Sequence, residues 1–158
     1  MIFHMPAKLY FGPGEVKKIP GILKEDLNAV NPVLVTDKGI VNSGLLDMIK
    51  ALLPGITVFD QIEANPKSDT INAIAKELRE TDVDLIIGFG GGSPLDAGKA
   101  LALLSTNDGF IEDYEGKEKY RNAPLPFLAI PTTCGTGSEV TWVSVVTDVN
   151  RKFKMSIK

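Results

Sequence analysis

Four short apolar runs divide the first 130 residues, and none of them alternates with polar positions. They lie at residues 33–35, 56–59, 85–87 and 127–130, and all contain β-branched or aromatic side chains. Continuous apolar runs of this length are typical of parallel strands that are covered on both faces. The pattern therefore predicts four buried strands.

Between these runs, apolar residues recur at the spacing of amphipathic helices. One predicted helix covers residues 45–53, and a second has its apolar face at positions 71, 74, 75 and 78, with Ser68 or Asp69 as its N-cap. A third covers residues 94–104. Strands that alternate with helices predict an α/β fold, a Rossmann-like parallel sheet with helices on both faces.

The two ends of the chain have a different pattern, which predicts short terminal β-strands. Residues 8–11 predict one strand, and residues 142–149 and 152–157 predict a pair around a turn at Asn150-Arg151. Because the last of these strands runs almost to the final residue, we expect the chain to be a fragment of a longer protein.

Composition narrows the functional classes. The 158 residues are 44% hydrophobic and 23% charged, which excludes a disordered chain. A net charge of −3 gives no general electrostatic footprint for nucleic acid. No apolar stretch approaches the roughly 18 residues of a membrane span, and no secretory signal pattern is present. We expect a cytoplasmic protein that binds neither nucleic acid nor membrane.

Single copies of reactive residues limit the chemistry further. The one histidine, His4, excludes a multi-histidine metal site, and its apolar surroundings predict a structural role. The one cysteine, Cys134, has no histidine base near it in sequence, so we predict a small apolar filler rather than a nucleophile. The one tryptophan, Trp142, is predicted to lie in the core.

A glycine-rich loop, GFGGGSP, follows the third apolar run at residues 88–94. Ser93 is the predicted N-cap of the next helix, with Pro94 at its first position and Asp96 completing the cap. The N–H groups of such a helix end, approached across glycine, suit a diphosphate. The loop departs from the G-x-G-x-x-G fingerprint, because Ser93 stands at the third glycine. A tight turn without a ligand is the alternative.

A second polar loop follows the fourth apolar run. Residues 131–141 read PTTCGTGSEVT, in which glycines and small hydroxyl residues could surround the polar edges of a ligand; a capped turn is the alternative. Asp37 follows the first strand, where it could accept the hydroxyls of an adenosine ribose or serve as an N-cap. Ligands of open α/β sheets bind at the carboxyl ends of the strands, so these features favour one site there.

The two loops closely resemble motifs of a known family. GGGSPLDAGK at residues 90–99 and PTTCGTGSEVT at residues 131–141 resemble the iron-containing (group III) alcohol dehydrogenases. The resemblance covers the whole chain and implies a two-domain enzyme. Residues 1–158 would be its dinucleotide-binding domain, and a helical C-terminal domain outside this chain would hold Fe²⁺ or Zn²⁺.

The resemblance also implies contacts to NAD. Asp37 would hold the adenosine ribose, which favours NAD over NADP because a 2′-phosphate would meet a carboxylate. The other implied contacts are Asn65, then Gly91, Gly92 and Ser93 at the diphosphate, Thr132, Thr133 and Thr136 at the adenine, ribose and phosphates, Thr141 and Val143 near the nicotinamide, and Lys154. Asp96 and Lys99 match family positions, but a cap and a helix-surface residue are equally consistent with the pattern.

The expected function is therefore that of the NAD-binding domain of a metal-dependent alcohol dehydrogenase. The full enzyme would transfer hydride between a primary or secondary alcohol and NAD, while the isolated chain would be inactive. We expect a homo-oligomer, because an exposed apolar face and unpaired terminal strands promote association. Three alternatives stay open: a glycerol-dehydrogenase-like enzyme, a dehydroquinate-synthase-like enzyme, and a nucleotide-binding module without catalytic activity.

Overall fold

The computed structural model describes residues 7–158 and contains a four-stranded parallel sheet in the order β2-β1-β3-β4. The strands are β1 (Pro32–Val35), β2 (Thr57–Phe59), β3 (Leu85–Gly90) and β4 (Phe127–Pro131). All four apolar runs are strands, as predicted. β3 extends three residues beyond the predicted end, so the first half of the glycine-rich loop belongs to the sheet.

The connections between the strands are helical. The helices are α1 (Ile19–Gly21), α2 (Lys38–Asn42), α3 (Leu45–Leu52), α4 (Ser68–Leu78) and α5 (Gly92–Leu104). The pattern predicted α3, α4 and α5 but neither α1 nor α2, because elements of three and five residues are too short to display a helical period. α1 lies between a 3₁₀ turn at Glu15–Lys18 and a π-helical turn at Ile22–Asp26.

Helices cover both faces of the sheet, so the predicted fold class is confirmed. Successive residues of β1 enter opposite apolar clusters, because side chains alternate along a strand. Leu34 packs in a cluster with α1, α2 and α3, whereas Val33 and Val35 pack in a cluster with α4 and α5. Within residues 7–158, no helix is long and apolar enough to cross a membrane.

A separate antiparallel hairpin packs beside α4 and α5. It consists of β5 (Ser144–Asp148) and β6 (Phe153–Ile157), as the pattern at the end of the chain predicted. Val146 and Met155 anchor it in the same apolar cluster as α4 and α5. The Asp148 carboxylate closes the turn by accepting hydrogen bonds from the N–H groups of Asn150 and Arg151, both at 2.9 Å.

The predicted N-terminal strand is wrong. Residues 8–11 pair with no strand in the part of the chain that the structure describes. Instead, they border an apolar groove of about 870 Å³ that runs along β4. A side-chain pattern alone cannot supply the backbone partner that a strand requires. His4 lies outside the described residues.

Two predicted helix starts are also wrong. The N-cap of α5 is Gly91, which places Ser93 in the first turn, where its hydroxyl accepts a hydrogen bond from the N–H of Asn65 at 3.1 Å. The N-cap of α4 is Lys67, and the buried Ser68 hydroxyl accepts from the N–H of Val149 at 3.4 Å. In both cases a residue distant in sequence occupies the hydroxyl that would otherwise cap the helix.

Candidate functional site

A cavity of about 430 Å³ opens at the carboxyl ends of the parallel strands. Its walls come from the start of α5, the loop after β4, the β5–β6 hairpin and the segment that precedes α4. Seven residues that the sequence assigned to the site line this cavity: Asn65, Gly92, Ser93, Thr136, Thr141, Val143 and Lys154. The other four, Asp37, Gly91, Thr132 and Thr133, lie on the neighbouring strand ends and are placed by the contacts described below.

The glycine-rich turn between β3 and α5 is a single residue long. β3 ends at Gly90 and α5 begins at Gly92, so Gly91 alone joins them. Gly90 has a φ of +143°, and a Cβ there would lie 2.8 Å from a carbon of the Pro94 ring. Gly91 has no side chain with which to cap the helix, which leaves the first-turn N–H groups of α5 without a side-chain acceptor. A helix start with free N–H groups can bind an anion.

Asp37 is an N-cap, which is one of the two interpretations that the sequence left open. One oxygen, Oδ1, caps α2 by accepting from the N–H of Ile40 at 2.9 Å. The other, Oδ2, lies 3.4 Å from the point where a Cβ on Gly90 would be. Asp37 therefore lies between β1 and β3, where the strand order reverses, and open α/β sheets bind ligands at that point. The ammonium of the neighbouring Lys38 pairs with Asp60, at 2.7 Å, rather than with Asp37.

The first residue of the threonine-rich loop is hydrogen-bonded to the residue before the glycine turn. The N–H of Thr132 donates to the carbonyl of Gly90 at 2.9 Å, which extends the β3–β4 ladder by one bond. A Cβ on Gly91 would lie 3.5 Å from the Thr133 side chain, and one on Gly92 would lie 3.2 Å from Thr136. All three threonines are exposed. Their hydroxyls thus border the open side of the glycine turn.

Two sequence predictions for this region are wrong. Cys134 is exposed rather than packed as an apolar filler. Trp142 is 69% exposed rather than part of the core. Both residues lie on the stretch between β4 and β5 that extends past the end of the sheet, where no described element covers them.

A chain of hydrogen bonds joins three predicted site residues from different parts of the fold. The Lys154 ammonium, on β6, donates to the Asn65 side-chain carbonyl at 2.6 Å. The N–H of Asn65 donates in turn to the Ser93 hydroxyl at 3.1 Å. Asn65 has a φ of +56°, a left-handed conformation that Asn tolerates better than most residues. One wall of the cavity is therefore held by contacts that are distant in sequence.

Asp96 and Lys99 differ from both local roles that the sequence allowed. Asp96 does not complete a helix cap: its carboxylate accepts from the Ser138 hydroxyl at 2.6 Å and from the N–H of Val145 at 3.2 Å. The Lys99 side chain is only 9% exposed and pairs with Asp96 at 3.0 Å. Burial lowers the pKa of Lys99, and the negative charge of Asp96 opposes that shift.

The sequence analysis missed five residues of the cavity wall: Pro66, Asp96, Ser138, Val145 and Thr147. Val145 and Thr147 stand two residues apart on β5, so they face the same side of the hairpin. That alternation was a usable signal. Ser138 gave no such signal, because its place depends on contacts with α5.

Comparisons with known proteins agree with the motifs. The family model for iron-containing alcohol dehydrogenase matches residues 6–158. Alcohol dehydrogenase 4 of Schizosaccharomyces pombe is 38% identical over 159 aligned positions, and the match covers 98% of this chain and 37% of that protein. Choline dehydrogenase of Bacillus subtilis is 34% identical over 161 aligned positions, and the match covers 98% of this chain and 40% of that protein.

A solved structure extends the comparison to three dimensions. The crystal structure of sulfoacetaldehyde reductase from Bifidobacterium kashiwanohense in complex with NAD⁺ aligns with a TM-score of 0.89 at 34% identity, over 99% of this chain and 42% of that one. The chain thus spans 37–42% of the length of these three proteins. Motifs, fold and family model agree, and the chain belongs to the iron-containing alcohol dehydrogenase family.

Proposed function

We propose that this chain is the NAD-binding domain of a metal-dependent dehydrogenase that transfers hydride between a primary or secondary alcohol and NAD. The observation that carries the proposal is the meeting of three features at the strand-order reversal: the Asp37 carboxylate, the glycine turn and the exposed threonines. The NAD⁺ complex of the Bifidobacterium relative supports the choice of cofactor.

The residues present fit a dinucleotide. A side chain at Gly92 would crowd Thr136, so the glycine keeps the start of α5 open to a diphosphate. Asp37 would accept hydrogen bonds from the ribose hydroxyls. The other polar contacts would come from the exposed hydroxyls of Thr132, Thr133 and Thr136. Thr141, Val143 and Lys154, with Asn65 behind them, would position the nicotinamide half. NAD would supply the hydride-accepting carbon, while the domain supplies binding and orientation.

The metal does not fit this part of the chain. Among residues 7–158, no group of three or more His, Cys, Asp or Glu is arranged to hold a metal ion. Iron is the metal named for the family, and zinc has no support. We therefore assign no chemistry at the alcohol oxygen to these residues. The proposal is that the chain alone binds NAD without turnover, and alcohol oxidation by the purified chain with added Fe²⁺ would overturn that part.

The three relatives described above have dehydrogenase or reductase names. These names favour a dehydrogenase over a dehydroquinate-synthase-like enzyme or a module without catalytic activity. The substrates in these names differ, so we propose only that the substrate is a small alcohol or aldehyde. A homo-oligomer and a cytoplasmic location stay predictions. Pairing through terminal strands loses support, because residues 8–11 are not a strand and β6 already pairs with β5.

Calorimetric titration of NAD and NADP tests the cofactor site. We expect the wild-type chain to bind NAD at least about tenfold more tightly than NADP, a difference of about 1.4 kcal/mol. Asp37→Ser removes the carboxylate but keeps a residue that caps helices well, so α2 should persist. This variant should bind NAD more weakly and NADP more tightly than the wild type.

The matched control is Asp47→Ser, which removes an exposed carboxylate from α3. It should leave both affinities unchanged. Equal affinities for NAD and NADP in the wild type, or the same ratio in Asp37→Ser, would exclude Asp37 from the ribose site. Failure of the wild type to bind either cofactor would contradict the proposed function as a whole.

A further inference from the structure

A buried ammonium group lies behind one wall of the cavity. Lys99 stands in the middle of α5, and its side chain is 9% exposed. Its Nζ lies 2.8 Å from the Ser138 hydroxyl and 3.1 Å from the Ser138 carbonyl. It also lies within hydrogen-bonding distance of the carbonyls of Thr141 and Val143, and 3.0 Å from the Asp96 carboxylate. Five oxygens thus surround one cation.

These oxygens belong to a stretch that has little regular structure of its own. Residues 138–143 contain only a three-residue 3₁₀ turn, Ser138–Val140, before β5 begins at Ser144. Carbonyls in such a stretch have no helix or sheet ladder to satisfy them. Lys99 satisfies the carbonyls at both ends of the stretch, residues 138 and 143, with charge-assisted bonds, which are about twice as strong as neutral ones.

The same stretch faces the cavity on its other side. Ser138, Thr141 and Val143 line the cavity together with Asp96, whereas Lys99 is not among the lining residues that the structure describes. Lys99 therefore lies behind this wall, where it can affect a bound ligand through the position of the wall.

Asp96 also holds residues 138–145 against α5. Its carboxylate binds Lys99, the Ser138 hydroxyl and the N–H of Val145, and its backbone carbonyl accepts from the Ser144 hydroxyl at 2.7 Å. Without Lys99, Asp96 would retain two of its carboxylate partners. Removing the lysine charge should therefore loosen residues 138–143 rather than unfold α5.

We propose that Lys99 is a positioning residue that pins residues 138–143 against α5 and so fixes the wall of the cavity that receives the nicotinamide half of the cofactor. The proposal rests on the NAD site described under the proposed function. It assigns to Lys99 a task that neither a helix-surface lysine nor a direct ligand contact would have.

The test compares Lys99→Met, Lys99→Arg and Lys76→Met. Methionine retains an unbranched apolar stem without the charge, and arginine retains the charge on a larger planar group. Lys76 lies exposed on α4, so the same substitution there is the matched control. Two quantities are measured for each protein: amide hydrogen exchange of the free chain and the affinity for NAD by calorimetry.

In Lys99→Met we expect faster exchange confined to residues 138–145 and NAD binding weakened about tenfold, as the loss of a charge-assisted hydrogen bond would produce. Lys99→Arg should recover part of the protection from exchange and part of the NAD affinity. Lys76→Met should match the wild type in both measurements. The preference for NAD over NADP should persist in Lys99→Met, because Asp37 lies at the other end of the site. A general loss of structure would instead speed exchange throughout the chain, which distinguishes it from a local loosening of residues 138–145.

Unchanged exchange at residues 138–145 in Lys99→Met would overturn the pinning, whatever the affinity. Faster exchange with undiminished NAD binding would overturn the positioning role while leaving the proposed function intact. If Lys99→Met does not fold, Ser138→Ala decides, because it removes one of the five oxygens around the Lys99 ammonium. Unchanged exchange at residues 138–143 in that variant would contradict the pinning. If the wild type binds no NAD, the proposed function fails, and the exchange data alone still decide whether Lys99 pins the stretch.

Discussion

The two loops that border the cavity are held in place by different means. The glycine turn is fixed by its immediate neighbours in sequence, since Gly91 is the only residue between a buried strand and a thirteen-residue helix. The threonine-rich stretch from residue 132 to 143 is held at its ends, by the Gly90 carbonyl at one and by Lys99 at the other. Local backbone geometry therefore accounts for the path of the glycine turn, whereas groups distant in sequence hold the threonine-rich stretch.

The glycine turn depends on how closely α5 packs on the sheet. Gly88 on β3 and Gly98 on α5 both face the ring of Phe127 on β4. A Cβ would lie 2.7 Å from a ring carbon at Gly88 and 2.6 Å from one at Gly98, closer than van der Waals contact allows. The absence of these two side chains lets the strand, the helix and the ring meet, and so sets the height of the α5 start above the sheet.

The largest effect on stability is therefore expected at Gly98. Gly98→Ala would drive a methyl group into the Phe127 ring, and overpacking of this kind lowers the free energy of unfolding by about 1–3 kcal/mol. Urea denaturation monitored by circular dichroism gives the value. Gly21→Ala is the control, because a Cβ at that helical glycine meets nothing within 4 Å and alanine favours helix. Equal stability of Gly98→Ala and the wild type would show that the packing of α5 tolerates movement.

A smaller effect is expected in the threonine-rich stretch. Ser138→Ala removes a buried hydroxyl that donates to Asp96 and accepts from Lys99. The free energy of unfolding should fall by about 1 kcal/mol, the usual worth of such a bond. Hydrogen exchange should rise at residues 138–143 but not in the glycine turn. A rise in both loops would contradict the separation between local and distant support.

The smallest effect on stability is expected in the β5–β6 hairpin, which forms one wall of the cavity. Hydrogen bonds from the backbone N–H and the guanidinium of Arg151 lower the pKa of Asp148 in the folded state. Because the pKa is lowered, the carboxylate stabilises the fold above its unfolded value of about 3.9, and this contribution is lost as the pH falls through the folded pKa. Asp148→Asn should be less stable than the wild type at pH 7.

Urea titrations at pH 7 and below pH 4 measure this difference. The free energies of unfolding of Asp148→Asn and the wild type should converge as the pH falls below the unfolded value, which is about 3.9. Both cavity loops should keep their wild-type hydrogen exchange at pH 7, since Asp148 contacts neither. A difference that stays constant over the whole pH range would show that the Asp148 charge does not support the turn.

The same contrast explains what the sequence revealed of the fold. Continuous apolar runs and helical spacing are short-range properties, and they predicted all four parallel strands, the hairpin and the three longer helices. The serine caps failed because Asn65 and Val149 bind those hydroxyls from elsewhere in the chain. The strand at residues 8–11 failed because a strand needs a partner that the local sequence does not contain.

The candidate site shows a similar division. The motifs located the residues on the two loops, because glycines and hydroxyl residues at strand ends have a recognisable chemistry. Asp96, Lys99 and Ser138 form a network that spans more than 40 residues of sequence, and no local pattern predicts it. Cys134 and Trp142 were misplaced for the converse reason, since their apolar character says nothing of whether a neighbouring element covers them.

Amide hydrogen exchange of the chain, with and without saturating NAD, tests the proposed NAD site most directly. With NAD bound, we expect slower exchange at residues 91–95 and 132–143, and no change in the larger apolar groove that residues 8–13 and β4 border. Protection in that groove, with residues 91–95 and 132–143 unchanged, would place the ligand away from the carboxyl ends of the strands. Either that pattern or no protection anywhere at saturation would contradict the proposed NAD site.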